Sequence, residues 1–161
     1  MTKKWAGTAV LCLSALSALS AHGAPAIQPF EPDGMARIIA SQKGRPFVLV
    51  VWSLDCTYCQ ASLKTLAEEK RKRKDLKVVT LSTDSATDVH AAAQMKRKLA
   101  SVGMSADAWA YGDAPPEQLR YAIDPKWHGE KPRSYWFSAR GESVAYSGVI
   151  TPATVAKLTA R

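Results

Sequence analysis

Cysteine is scarce in this chain of 161 residues: there are three, and only Cys56 and Cys59 lie beyond the N-terminal segment that holds Cys12. A scaffold stapled by several disulfides in place of a hydrophobic core is therefore excluded. Histidine is equally scarce, with His22, His90 and His128 scattered along the chain. A structural zinc site on Cys56 and Cys59 needs two further ligands, which this spread does not offer as a motif. No repeat period and no low-complexity tract is present, so neither a solenoid nor an intrinsically disordered protein is in view. Long hydrophobic runs are missing too. The stretch 10–19 is apolar but broken by serine and short for crossing a bilayer.

What is present is the composition of a globular domain, 47% hydrophobic over a length sufficient for one real core. The first residues have the layout of an export leader. Lys3 and Lys4 form a basic start, residues 10–19 an apolar middle, and Ala21-His22-Gly23-Ala24 a small-residue cleavage region. We expect a signal peptide at 1–23, with the cleavage frame inside 21–26, an N-terminal extension at 24–45 and a main domain at 46–161. Cys12 has no small residue just before it and lies too early to be a lipidation site. Once the leader is gone a single close cysteine pair remains, which in an exported protein reads as a reactive dithiol.

The formal charge is +8, and much of it lies in Lys70-Arg71-Lys72-Arg73-Lys74. Export argues against nucleic acid as a partner. The run is read as the solvated last turns of a helix, where the dipole favours cations.

Along the chain, residues 24–32 are proline-rich and expected to be extended. Asp33 is expected to cap a short helix carrying Met35, Ile38 and Ile39. The unbroken apolar run 47–52 is a strand buried on both faces, as at the centre of a parallel sheet. A helix follows from Cys56, with Cys59, Leu63, Leu66 and Ala67 inward and Lys64, Glu68 and Glu69 outward. A strand at 76–82 is expected to end at Asp84-Ser85, which would cap a helix carrying Val89, Ala92, Met95, Leu99 and Val102 inward up to Gly103. Residues 109–111 form a short added strand, and Pro115-Pro116 opens a brief helix closed by Asp124-Pro125. A hairpin of 134–138 and 143–147 turns through Arg140-Gly141, and Thr151-Pro152 starts a terminal helix. The result is an α/β fold with a right-handed parallel β-α-β unit and an antiparallel end.

The chemistry centres on Cys56-Thr57-Tyr58-Cys59. A thiolate at a helix N-terminus faces unpaired N–H groups and the positive end of the dipole, which makes Cys56 the nucleophile and Cys59 the resolving thiol. Metal binding ranks second, and a purely structural bridge third, because so short a loop gains little unfolded-state entropy.

The order β-α-β-α-β-β-α, the strand ending in Trp52, the C-x-x-C at the next helix start and a proline before the third core strand resemble the thioredoxin superfamily. The exported context and the strand-helix insertion at 109–123 look most like its TlpA-like branch of periplasmic thiol-disulfide oxidoreductases. That resemblance implies a thioredoxin fold, a central mixed sheet flanked by helices, with an N-terminal helical extension. It implies protein disulfide exchange in the periplasm, as a reductase, with no cofactor beyond the Cys56–Cys59 dithiol. It also implies protein substrates carrying disulfides or thiols, and a membrane thiol reductase as electron donor, because no soluble dithiol pool keeps the periplasm reducing. Pro132 takes the place of the family's cis-proline, docking substrate together with Lys131 and Tyr58.

The chain also departs from the family. A buried carboxylate often lies behind the thiols, and the two positions for it hold Val50 and Ser62. Lys131 and Arg133 flank the proline and make a cationic rim that favours the Cys56 thiolate, while Asp55 opposes it and favours the oxidised form. Trp127 and His128 are candidates to line the site. The alternative reading is a Cu(I) metallochaperone using both thiols and His128. Tyr135 and Trp136 are expected as one core and one surface side chain, and His90 as solvated.

Overall fold

A computed structural model describes residues 27–160. The leader, its cleavage frame and Cys12 lie outside the described residues. In chain order the elements are β1 (Gln28–Phe30), α1 (Gly34–Ser41), β2 (Phe47–Trp52), α2 (Thr57–Lys72), β3 (Val78–Ser85), α3 (Val89–Val102) and β4 (Ala108–Tyr111). They continue as α4 (Pro116–Ile123), β5 (Arg133–Phe137), β6 (Ser143–Ser147) and α5 (Pro152–Thr159).

The strand read as central is central. All of β2 is buried, and it lies between β3, parallel, and β5, antiparallel, in a sheet of six strands ordered β1-β4-β3-β2-β5-β6. Because side chains alternate along a strand, β2 feeds two cores. Val48, Val50 and Trp52 meet Leu63 and Leu66 of α2, Met95 and Leu99 of α3 and Val155 of α5. Leu49 and Val51 meet Ile38 of α1 and Leu119 and Ile123 of α4 on the opposite face. Among the described residues no helix is long and apolar enough to cross a membrane.

The structure differs from the sequence reading at several places, each for a physical reason. The extension at 24–45 carries a strand besides its helix: β1 pairs with β4 in parallel, with Phe30 buried. Asp33 occupies the N-cap of α1 without a side-chain capping bond. The segment is instead held by Glu31, whose carboxylate accepts from the N–H groups of Asp113 and Ala114. β3 runs on to Ser85, where the register against β4 shifts. Ser85 Oγ accepts from the N–H groups of Thr87 and Asp88, and it is Asp88 that caps α3, accepting from His90 and Ala91. Val89, expected inward, is 79% exposed because it opens the helix beside its cap. Glu69, expected outward, is buried, and Lys72 and Arg73 reach back to it at 2.9 and 3.4 Å. The basic run is thus partly neutralised. Tyr135 and Trp136 are both buried, because β5 has a core on each side.

Candidate active site

β2 ends at Trp52, and Ser53-Leu54-Asp55 carries the chain from the sheet to α2. Cys56 is the N-cap of α2. Its backbone is extended, its N–H donates to Ser53 O at 3.3 Å, and its Sγ accepts from the Cys59 N–H at 3.1 Å. That bond puts sulfur where a capping oxygen ordinarily lies, against a donor the helix cannot use internally. Cys56 and Cys59 form a disulfide, S–S 2.00 Å. The two sulfur-bearing residues differ in access: Cys59 is fully buried in the α2-side core, Cys56 only partly buried, and Tyr58 between them is 69% exposed.

The connecting loop is held from three sides. The Leu54 N–H donates to Asp84 Oδ2 at 2.8 Å, and Ser82 Oγ donates to the same oxygen at 2.6 Å. Gln60 Nε2 donates to Leu54 O at 3.4 Å, and Lys98 Nζ on α3 donates to Gln60 Oε1. Ser53 Oγ donates to Asp55 Oδ1 at 2.5 Å. This hydroxyl, with the Lys131 ammonium nearby, holds the Asp55 carboxyl below its usual range. The negative charge beside Cys56 is therefore present, and Lys131, which also donates to Thr83 Oγ1 at 3.0 Å, partly offsets it.

β5 brings Pro132 to the same end of the sheet. Val51 pairs with Arg133, so the next antiparallel step sets Pro132 opposite Trp52. Pro132 is buried, and the Lys131–Pro132 peptide bond is cis. Arg133 does not form a free rim cation. It pairs with Asp124 at 3.1 Å and Glu130 at 3.2 Å and stacks over Tyr135. At Asp124 burial pushes the carboxyl up, but the Lys126 N–H, the Arg133 guanidinium and the Tyr135 hydroxyl outweigh it and hold the carboxyl below its usual range.

Val50 and Ser62, the two positions considered for a buried acid, have other work. Val50 is core. Ser62, fully buried, donates to Tyr58 O at 3.2 Å and accepts from the Ile150 N–H at 3.0 Å. The same loop gives the Gly148 N–H to Pro132 O at 3.0 Å, at a φ of +114° that favours glycine. Ser62 thereby links the cysteine helix to the segment that supports Pro132.

Trp127 does not line the site. It is buried in the α4-side core with Nε1 donating to Glu130 O at 2.9 Å, while His128 is exposed. Among the described residues no group of three His, Cys, Asp or Glu side chains is assembled, so His128 does not join the cysteines as a third ligand. A cleft of about 600 Å³ opens at the other end of β2, lined by Phe47, Trp136, Phe137 and Leu158, away from the cysteines. Asp84 and Ser62 are the site residues that sequence reasoning missed. No local motif points to their roles, because their partners Leu54 and Ile150 lie 30 and 88 positions away.

A model of the AhpC/TSA family matches residues 22–115. The chain belongs to the AhpC/TSA family. No curated protein matches it by sequence. Among solved structures, this AhpC/TSA chain resembles a secreted disulfide oxidoreductase of Mycobacterium tuberculosis homologous to E. coli DsbE, at 18% identity and TM-score 0.56, over 75% of this chain and 84% of that one. It also resembles a thiol:disulfide interchange protein of the thioredoxin family from Chlorobium tepidum, at 17% identity and TM-score 0.57, over 75% and 81%. A DsbF homologue from Corynebacterium diphtheriae aligns at 15% identity and TM-score 0.58, over 76% and 74%. At such identities the likeness is one of fold. It bears out the thioredoxin fold, and with the family match it supports the resemblance to the thioredoxin superfamily.

Proposed function

We propose that this AhpC/TSA-family protein is a thiol-disulfide oxidoreductase of the periplasm that reduces disulfides in other proteins. The observation that carries the proposal is the asymmetry of the pair: Cys56 caps α2 and is partly accessible, while Cys59 is sealed in the core one turn further on. In the reduced protein the Cys56 thiolate attacks one sulfur of a substrate disulfide, forming a mixed disulfide and releasing the other substrate sulfur as a thiolate. The Cys59 thiolate then attacks Cys56 Sγ, closing the intramolecular disulfide and expelling the second substrate thiolate. Two electrons leave the protein, and both substrate thiolates take protons from solvent. A membrane thiol reductase returns the electrons by the reverse exchange.

Pro132, Lys131 and Tyr58 are the proposed docking residues, Pro132 having no N–H of its own beside an extended substrate segment. The reducing direction is supported by Asp55, whose ionised carboxylate next to Cys56 penalises the thiolate and so favours the oxidised protein. Cys59→Ser is expected to trap covalent complexes with substrate proteins, and Cys56→Ser to trap none. A Cys59→Ser protein that traps no partner and whose Cys56 resists alkylation removes the proposal. A reduction potential near that of a strong oxidant, about −120 mV, reverses the direction while leaving the exchange intact.

A further inference from the structure

Beside the Cys56 turn, α2 and α3 leave a groove of about 440 Å³ lined by Leu54, Gln60, Gln94, Arg97, Lys98 and Ser101. Its wall is continuous with the nucleophile: the Gln60 N–H donates to Cys56 O at 3.3 Å, and Leu54 precedes Cys56 by two residues. Its charge is of one sign. Lys72 and Arg73 of the 70–74 run pair with Glu69, and Arg133 has Asp124 and Glu130. Among the described residues neither Arg97 nor Lys98 has a carboxylate within ion-pair reach. Lys98 is half-buried and satisfied only by the neutral Gln60 amide, and Gln60 in turn is spent on Leu54 O. The Asp84 carboxylate lies at the Leu54 end of the groove, where it accepts from the Leu54 N–H and the Ser82 hydroxyl, and it makes no ion pair with Arg97 or Lys98. Arg97 and Lys98 thus lie side by side on the open surface next to the Cys56 turn with no carboxylate paired to either, and a substrate carboxylate seated between them gains from both charges.

We propose that this groove seats an acidic side chain of the substrate polypeptide a few residues from the disulfide under attack, with Arg97 as the residue that reads it. The inference rests on the oxidoreductase reading and adds the substrate class to it. Leu54 and the aliphatic stem of Lys98 cover the methylenes of a Glu or Asp, while Arg97 offers the planar fork that matches a carboxylate. Gln94 and Ser101 line the rest of the groove with neutral polar groups.

The test uses the pre-reduced full chain and two disulfide peptides that differ only in Glu against Gln near the cysteine, with second-order rate constants measured in single turnover. The wild type is expected to favour the Glu peptide about tenfold, the low end of electrostatic steering. Arg97→Glu is expected to bring the ratio to one or below, and Arg97→Lys, which keeps the charge and loses the fork, to keep only part of it. Arg71→Glu, which changes net charge equally on the exposed end of α2, is expected to leave the ratio unchanged. Equal wild-type rates on the two peptides overturn the inference alone. An Arg71→Glu loss as large as that of Arg97→Glu overturns it too, by assigning the preference to overall charge. A wild type that reduces neither peptide brings down the oxidoreductase reading and this inference with it.

Discussion

At the scale of single residues, the buried hydroxyls around the cysteine helix divide into those with partners and one without. Ser62 and Ser134 are hydrogen-bonded, Ser134 accepting from Trp136 Nε1 at 2.9 Å. Thr80, fully buried on β3 and paired with Val50, has an Oγ1 with no partner. A buried hydroxyl without a hydrogen bond costs about 1–3 kcal/mol of desolvation. Thr80→Val is therefore expected to raise stability by about 1 kcal/mol, read as a higher urea midpoint with unchanged slope. Ser62→Ala, which removes only the hydroxyl, is expected to lower stability, because it strands the Ile150 N–H. The contrast marks what the sequence carries. Cys56 and Cys59 are legible because their relation spans one helical turn, whereas the role of Ser62 depends on Ile150, 88 positions away.

At the scale of elements, the cysteine turn is a loop fixed by its neighbours. Asp84 at the end of β3 grips the Leu54 N–H from 30 positions away, and α2 and α3 hold the carbonyl of the same residue through Gln60 and Lys98. Asp84→Ala leaves two donors without their acceptor and is expected to cost about 1–3 kcal/mol. The accompanying sign is faster hydrogen exchange at Leu54, seen by NMR. An exchange rate equal to the wild type's means the loop is held some other way. Elements with local signals were readable: the apolar run of β2, the periodicity of α2, and Thr151-Pro152 at α5, where Thr151 Oγ1 accepts from the Thr154 N–H. The three residues of β1 have no such signal, since Gln28 and Pro29 are exposed and only pairing with β4 makes a strand of them. Asp84 and Ser85 look like turn residues in the sequence, yet both belong to β3, one reaching toward Leu54 and the other shaping the turn that follows.

At the scale of the molecule, a single sheet with a core on each face places the redox pair at the edge of one and two buried phenols in the other. Burial pushes Tyr111 and Tyr135 from an ordinary value near 10 up to about 12 each, at Tyr135 against the pull of Arg133. Between those values the folded protein keeps phenolic protons that the unfolded chain releases, so the unfolded state binds fewer protons and stability falls as pH rises. Their contribution is complete below pH 10 and disappears toward pH 12. Urea midpoints taken across that window are expected to drop for the wild type and to drop less for a Tyr111→Phe, Tyr135→Phe double variant. Finally, because Gln28 pairs with Trp109, the first strand of the sheet to be synthesised finds its neighbour only after about eighty further residues have appeared. That makes β1 a late clasp: the inner strands of the sheet can assemble before it docks, and cutting the chain there loosens the β4 side of the molecule while leaving the sulfur end untouched.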